Sequence, residues 1–150
     1  MAFQDGAKFE GQLEIVLKDK DGNVKETRKH RNLVVNAGLN AILDRLVGTS
    51  EAVMSHMALG SSTTAAAAGQ TDLVSILGSR EALDSSTVSG STVTYSCTFE
   101  AGDATGTVTE AGIFNASSSG TMLCRSVFSA ITKGANDSLN VSWAITVTAS

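Results

Sequence analysis

The strictest pattern in the chain is a two-residue alternation, and it leaves few folds open. Val93, Tyr95, Cys97 and Phe99 alternate with Thr92, Thr94, Ser96 and Thr98. Near the other end Leu139, Val141, Trp143, Ile145 and Val147 alternate with Asn140, Ser142, Ala144, Thr146 and Thr148. Successive side chains of a strand point to opposite faces, so each segment carries one apolar and one polar face. Residues 108–114 and 122–131 read as two strands between them, set apart by turn clusters at 101–106, 115–120 and 133–137. Four strands with three turns predict an antiparallel β core over 91–150, in a sandwich or a barrel. The polar alternates are Ser and Thr rather than Lys and Glu, which suits a face packed on another sheet or another subunit.

The first half supplies the remaining elements. Phe9, Leu13, Ile15 and Leu17 share a face, and Asp21-Gly22 is a hairpin turn signal. A β-hairpin over 12–35 follows, with 24–35 as its return strand and 1–11 as an N-terminal arm. Asp19 and Asp21 do not make a calcium loop, because Gly22 comes too early and no Glu closes a twelve-residue loop. Leu39, Ile42, Leu43, Leu46 and Val47 recur at helical spacing. They predict a short helix over about 37–47, capped by Asn36, stopped at Gly48, and laying its apolar face on a sheet. A further strand is expected at 53–59. Residues 60–70 are low in complexity and read as a long, exposed, mobile loop. With 150 residues the chain fits a single, mainly β domain with one short helix.

Charge and reactive groups exclude several function classes. Charged residues are 17%, against roughly 25% in an average globular protein, while hydrophobic residues are 42%. Disorder of the whole chain needs the opposite balance. No apolar run reaches the roughly 20 residues of a membrane helix, and Met1 to Gly6 lacks the basic and apolar regions of a signal peptide. Residues 18–31 hold six basic and three acidic residues, a net +3, so the remainder of the −4 chain sums to −7. Between Glu81 and Gly120 there are five acids and no base. This segregation fits complementary docking between copies or onto an acidic partner, or simply a solvated hairpin. The bases are interleaved with acids and no aromatic lies among them, which counts against nucleic acid.

No phosphate-binding loop, HExxH, GxSxG or cysteine-protease signature occurs. Cys97 and Cys124 are not at metal-ligand spacing from each other or from His30 and His56. They read as buried thiols, with a disulfide between strands left open. Glu100 and Glu110 flank a turn, but one Trp and one Tyr are few for a carbohydrate cleavage site. Neither a catalytic residue, a cofactor nor a metal is expected.

The order of motifs resembles a known group. Asn32 to Gly38 precedes the helix. Then come His56-Met57-Ala58-Leu59-Gly60, Gln70-Thr71-Asp72-Leu73, and Thr109 to Asn115. Met122 to Phe128 and Val141-Ser142-Trp143-Ala144-Ile145 follow. Over about residues 8–148 this resembles small structural proteins of tailed bacteriophages, among them capsid decoration (cement) proteins and tail or fibre proteins. The resemblance implies a non-enzymatic virion component made in the host cytoplasm. It would self-associate, as a homotrimer, and bind the major capsid protein on the outer shell, bridging capsid subunits. The alternatives are a collar, tail-fibre or baseplate adaptor on the tail and, third, a carbohydrate-binding module. Neither nucleic acid nor membrane is implied. Lys25, Arg28, Lys29 and Arg31 are the charged contact candidates. Ser61, Thr63 and Thr64 belong to the loop expected to order against a neighbour. Glu110 can accept from backbone donors in a turn, pair with Arg125, or lie exposed.

Overall fold

The computed structural model describes residues 6–49 and 51–149. Two five-stranded antiparallel sheets pack face to face as a sandwich, with no closed barrel. The first sheet has the order β2-β1-β10-β7-β6, formed by β1 (Ala7–Lys18), β2 (Val24–Arg31), β6 (Ser85–Ser89), β7 (Thr92–Phe99) and β10 (Ser138–Ala149). The second is β3-β9-β8-β4-β5, from β3 (Leu33–Val34), β4 (His56–Gly60), β5 (Glu81–Ala82), β8 (Gly106–Phe114) and β9 (Met122–Lys133). Among the described residues the single helix, α1 (Asn36–Leu46), lies on β9.

The alternating segments do what period two requires. Leu13, Ile15 and Leu17 of β1, Cys97 and Phe99 of β7, and Leu139, Val141, Trp143 and Ile145 of β10 are buried against the second sheet. The four strands of 91–150 do not form one sheet. β7 pairs with β10, and β8 with β9, so the chain crosses between layers after β7 and again after β9. β8 departs from alternation: every residue from Val108 to Phe114 is buried, because both of its faces are covered.

Several expectations need correction. The described part of the expected arm is strand: Ala7 to Gly11 continues β1 and pairs with β10 from Ala149 to Ile145. Residues 1–5 lie outside the described residues. The return strand of the hairpin breaks at Asn32, where the chain passes from the first sheet to the second. Asn32 N–H donates to the Gly11 carbonyl at 3.2 Å, and its side chain fills the space that a Cβ on Gly11 would need. The expected strand at 53–59 begins only at His56.

The helix also differs. Asn36 sits inside its first turn, its N–H donating to Ala68 O at 2.9 Å, and Val35 precedes it without a side-chain cap. Its buried residues are Gly38 and Ala41 rather than the leucines. Small residues let the helix backbone approach β9 so closely that a Cβ on Gly38 would overlap Leu123. Leu43, Leu46 and Val47 are left in solvent. Gly48 does end the helix, with φ +71°.

Candidate docking surface

Residues 61–80 run over the outer face of the second sheet and form a third, coil layer. Leu73 from this layer packs with Val35, Ala58, Phe114 and Met122 in a second small core. The layer is pinned by Glu110, which is fully buried. Its Oε1 accepts from Ser75 N–H at 2.7 Å and Ser62 N–H at 3.3 Å, and its Oε2 accepts from Val74 N–H at 3.1 Å. Arg125, equally buried, donates through Nε to Oε2 at 2.9 Å, with Nη2 2.8 Å from the same oxygen. Arg125 Nη1 then reaches Thr64 O at 2.9 Å and Gln70 Oε1 at 3.0 Å. Gly60 makes room for this cluster, since a Cβ there would sit 2.5 Å from Glu110 Oε1.

Two of the three readings of Glu110 thus hold together, backbone acceptor and partner of Arg125, while exposure is excluded. Both residues leave the list of docking candidates, because they are enclosed within the chain. Ser61, Thr63 and Thr64 remain on the surface. Their backbone is held from below, Thr64 through Arg125 and Ser61 through its N–H to Ser75 O at 2.8 Å.

The basic segment does not form one patch. Register places Arg28 opposite Ile15, on the inward side of the sheet. There it pairs with Glu26 and donates to the carbonyls of Ser129 and Ala130 in the facing sheet. Lys25 is held by Asp137 at 2.9 Å. Lys29 and Arg31 face outward with Glu14 and Gln12. Lys29 makes a loose 3.8 Å pair with Glu14.

A further surface feature is apolar. Beside the paired start of β1 and end of β10, a groove of about 580 Å³ opens between β6, β7 and α1. Phe9, Ile42, Leu46, Val53, Val88 and Val147 line it, with Arg45 as its one cation. Val88, Leu46 and Val53 are more than half exposed. The sequence hid this groove because its walls come from segments far apart in the chain, each reading as an ordinary apolar face. Arg80 was also missed. It lies 3.6 Å over the Phe114 ring and donates to Ala116 O and Ser119 O, tying the coil layer to the β8–β9 loop.

The reactive groups are kept apart. Both cysteines are free and buried. Burial pushes the Cys97 thiol up to about 12, aided by Asp84, Glu81 and Asp103, and pushes Cys124 well above its ordinary value. Burial also lowers Lys133, against the pull of Asp103, Asp137 and Glu100, while its ammonium donates to Glu100 O at 2.8 Å. Asp137 is held below the usual carboxylate range by Lys25 and by Gly134 N–H. Trp143 is wholly buried, so it offers no platform to a sugar. Among the described residues no three His, Cys, Asp or Glu side chains converge to hold a metal ion, and no helix is long and apolar enough to cross a membrane. Comparison with protein-family models, curated proteins and solved structures found no match.

Proposed function

We propose that this chain is a bacteriophage virion structural protein, a capsid decoration protein that binds the outer shell and bridges capsid subunits. The observation that carries the reading is the uncovered apolar end of the sandwich. Monomeric proteins rarely leave large contiguous apolar patches in water, and such patches mark surfaces that meet a partner. A stiff β-sandwich with its coil layer pinned by buried charges has the rigidity such a brace needs. Self-association, as a homotrimer, covers the apolar end. Lys29 and Arg31 on the outward face then meet an acidic patch of the major capsid protein. The role is assembly, and no catalytic step is assigned.

Quantitative mass spectrometry of purified virions tests this. Hundreds of copies, in a simple ratio to the major capsid protein, are expected. A few to a few dozen copies would move the chain to the tail, as a fibre, collar or baseplate adaptor. Absence from particles would overturn the reading. At the level of residues, Lys29→Glu with Arg31→Glu is expected to lower occupancy on the particle without unfolding the chain.

A further inference from the structure

The two sheets do not close on each other beside α1. Val93 of β7 and Ile145 of β10, from the first sheet, line the groove together with Val34 of β3 and Leu123 of β9, from the second. All four belong to the main core or pack against it, so the groove continues the space between the layers. Leu123 and Ile145 are almost wholly buried, while Val53 and Val88 stand in solvent at its mouth. The feature is therefore a slot leading inward, not a flat patch. Its volume, about 580 Å³, is of the size in which proteins hold small organic ligands. Water inside such a slot finds few hydrogen-bond partners, and apolar molecules enter in its place. No Asp or Glu lines it, and Arg45 is its only charged residue. Among the described residues Arg45 has no carboxylate partner. Its Nη1 donates to Glu51 O at 3.1 Å, and its Nε and Nη2 have no acceptor there.

We propose that this slot binds a single-chain anionic amphiphile, a long-chain carboxylate, with its acyl chain between the two sheets and its carboxylate on the Arg45 guanidinium. The lining selects that chemistry. A run of methylenes extends the core where the sheets leave it open, and taking them out of water is favourable. One cation at the slot matches one anionic head group. Nε and Nη2 of an arginine form a donor pair that a carboxylate accepts with both oxygens. The inference goes beyond the proposed function and does not depend on it. Leu43 and Val47 lie outside the groove, so apolar surface remains exposed with the slot filled.

Isothermal titration calorimetry of the purified full chain with decanoate is the test, together with mass spectrometry of a solvent extract of the same sample. Decanoate is expected to bind one per chain with a Kd below about 100 µM, or the extract to hold a longer carboxylate that decanoate displaces. Arg45→Gln is expected to weaken decanoate about three- to tenfold and to leave decyl alcohol, the uncharged probe, unchanged. Arg45 is exposed, so thermal unfolding of this variant should not move. Val147→Trp and, separately, Val53→Trp fill the slot from positions already in contact with solvent, and each is expected to abolish binding of both probes. No decanoate binding, with an extract free of carboxylate, overturns the inference. So does binding that survives both tryptophan variants, which would place the probe elsewhere. An Arg45→Gln variant that affects both probes equally, or neither, overturns the carboxylate assignment. Copy number in virions is read separately. A chain absent from particles that binds decanoate overturns the proposed function and leaves this inference standing, and a virion protein that binds no decanoate does the reverse.

Discussion

Glu110→Ala is the perturbation with the largest consequence. Among the described residues the carboxylate is the only acceptor for the N–H groups of Ser62, Val74 and Ser75, and it is the counter-charge of Arg125. Removing it leaves a guanidinium at zero exposure with Thr64 O and Gln70 Oε1 but without its anion. Arginine cannot escape by losing its proton. Breaking a buried pair from one side costs about 3–5 kcal/mol. The three orphaned amides can recover water only if the coil layer lifts, so their cost appears as opening of 61–80 rather than adding in full. Set against a total stability of about 5–15 kcal/mol, the loss is a large share. With a urea slope of about 2 kcal/mol/M, the midpoint should fall by roughly 1.5–2.5 M. Hydrogen exchange should show Ser62, Val74 and Ser75 losing protection well before β1 and β10. Glu110→Gln keeps one carbonyl acceptor and should fall between the variant and the parent. A loss under about 1 kcal/mol, with those amides still protected, would refute the claim that this pair holds the coil layer down.

Other expectations follow from the same packing. Gly38→Leu should destabilise by about 1–3 kcal/mol or more and detach α1, read as lost helical signal, because its side chain would meet the Leu123 backbone. Cys97, with its thiol pushed up to about 12, is about one ten-thousandth thiolate at pH 8. Iodoacetamide should therefore label it only at the rate of unfolding, and prompt labelling of the native chain would contradict its burial. Asp137 has a folded pKa below its ordinary 3.8, so between the two values the unfolded chain binds more protons and stability rises with pH. Its contribution is present above pH 3.8 and is lost as pH falls through the lower, folded value. Asp137→Asn should flatten that acid limb in urea titrations, and so, more weakly, should Lys25→Met.

Local rules foretold the first sheet well, for a physical reason. β1, β7 and β10 each have one face on the core and one outside, so their burial pattern is written as alternation in the chain. β8 has a covered outer face, and what covers it is a segment without any periodicity. Residues 60–70 therefore read as loose loop when taken alone. Its hold on the sheet depends on Glu110 and Arg125, 35 or more residues away. That pair was named from the sequence, because a carboxylate and a guanidinium on neighbouring strands find each other. Their burial was not, since it depends on the cover. The basic segment failed in the opposite way. Six cations within 14 residues look like one patch, yet strand register turns Arg28 inward and leaves Lys29 outward. Charge counted along a strand says nothing about a surface until the faces are separated.

The helix brings these threads together. Its leucines recur at helical spacing, which commonly marks the buried stripe. Here the contact with β9 is made by Gly38 and Ala41, whose small side chains let the backbones approach. Burying that narrow face leaves Leu43, Leu46 and Val47 with nothing to cover them inside the chain. A fold that needed only its own stability would set leucines against β9 and alanines in water. The reverse arrangement gains little for the isolated chain and exposes apolar area at about 25 cal/mol for each Å² left uncovered. The helix pattern read as amphipathic in the sequence is thus amphipathic with its small residues, not its leucines, toward the sheet. It meets the sheet beneath it through glycine and alanine, and it leaves Leu43 and Val47 exposed.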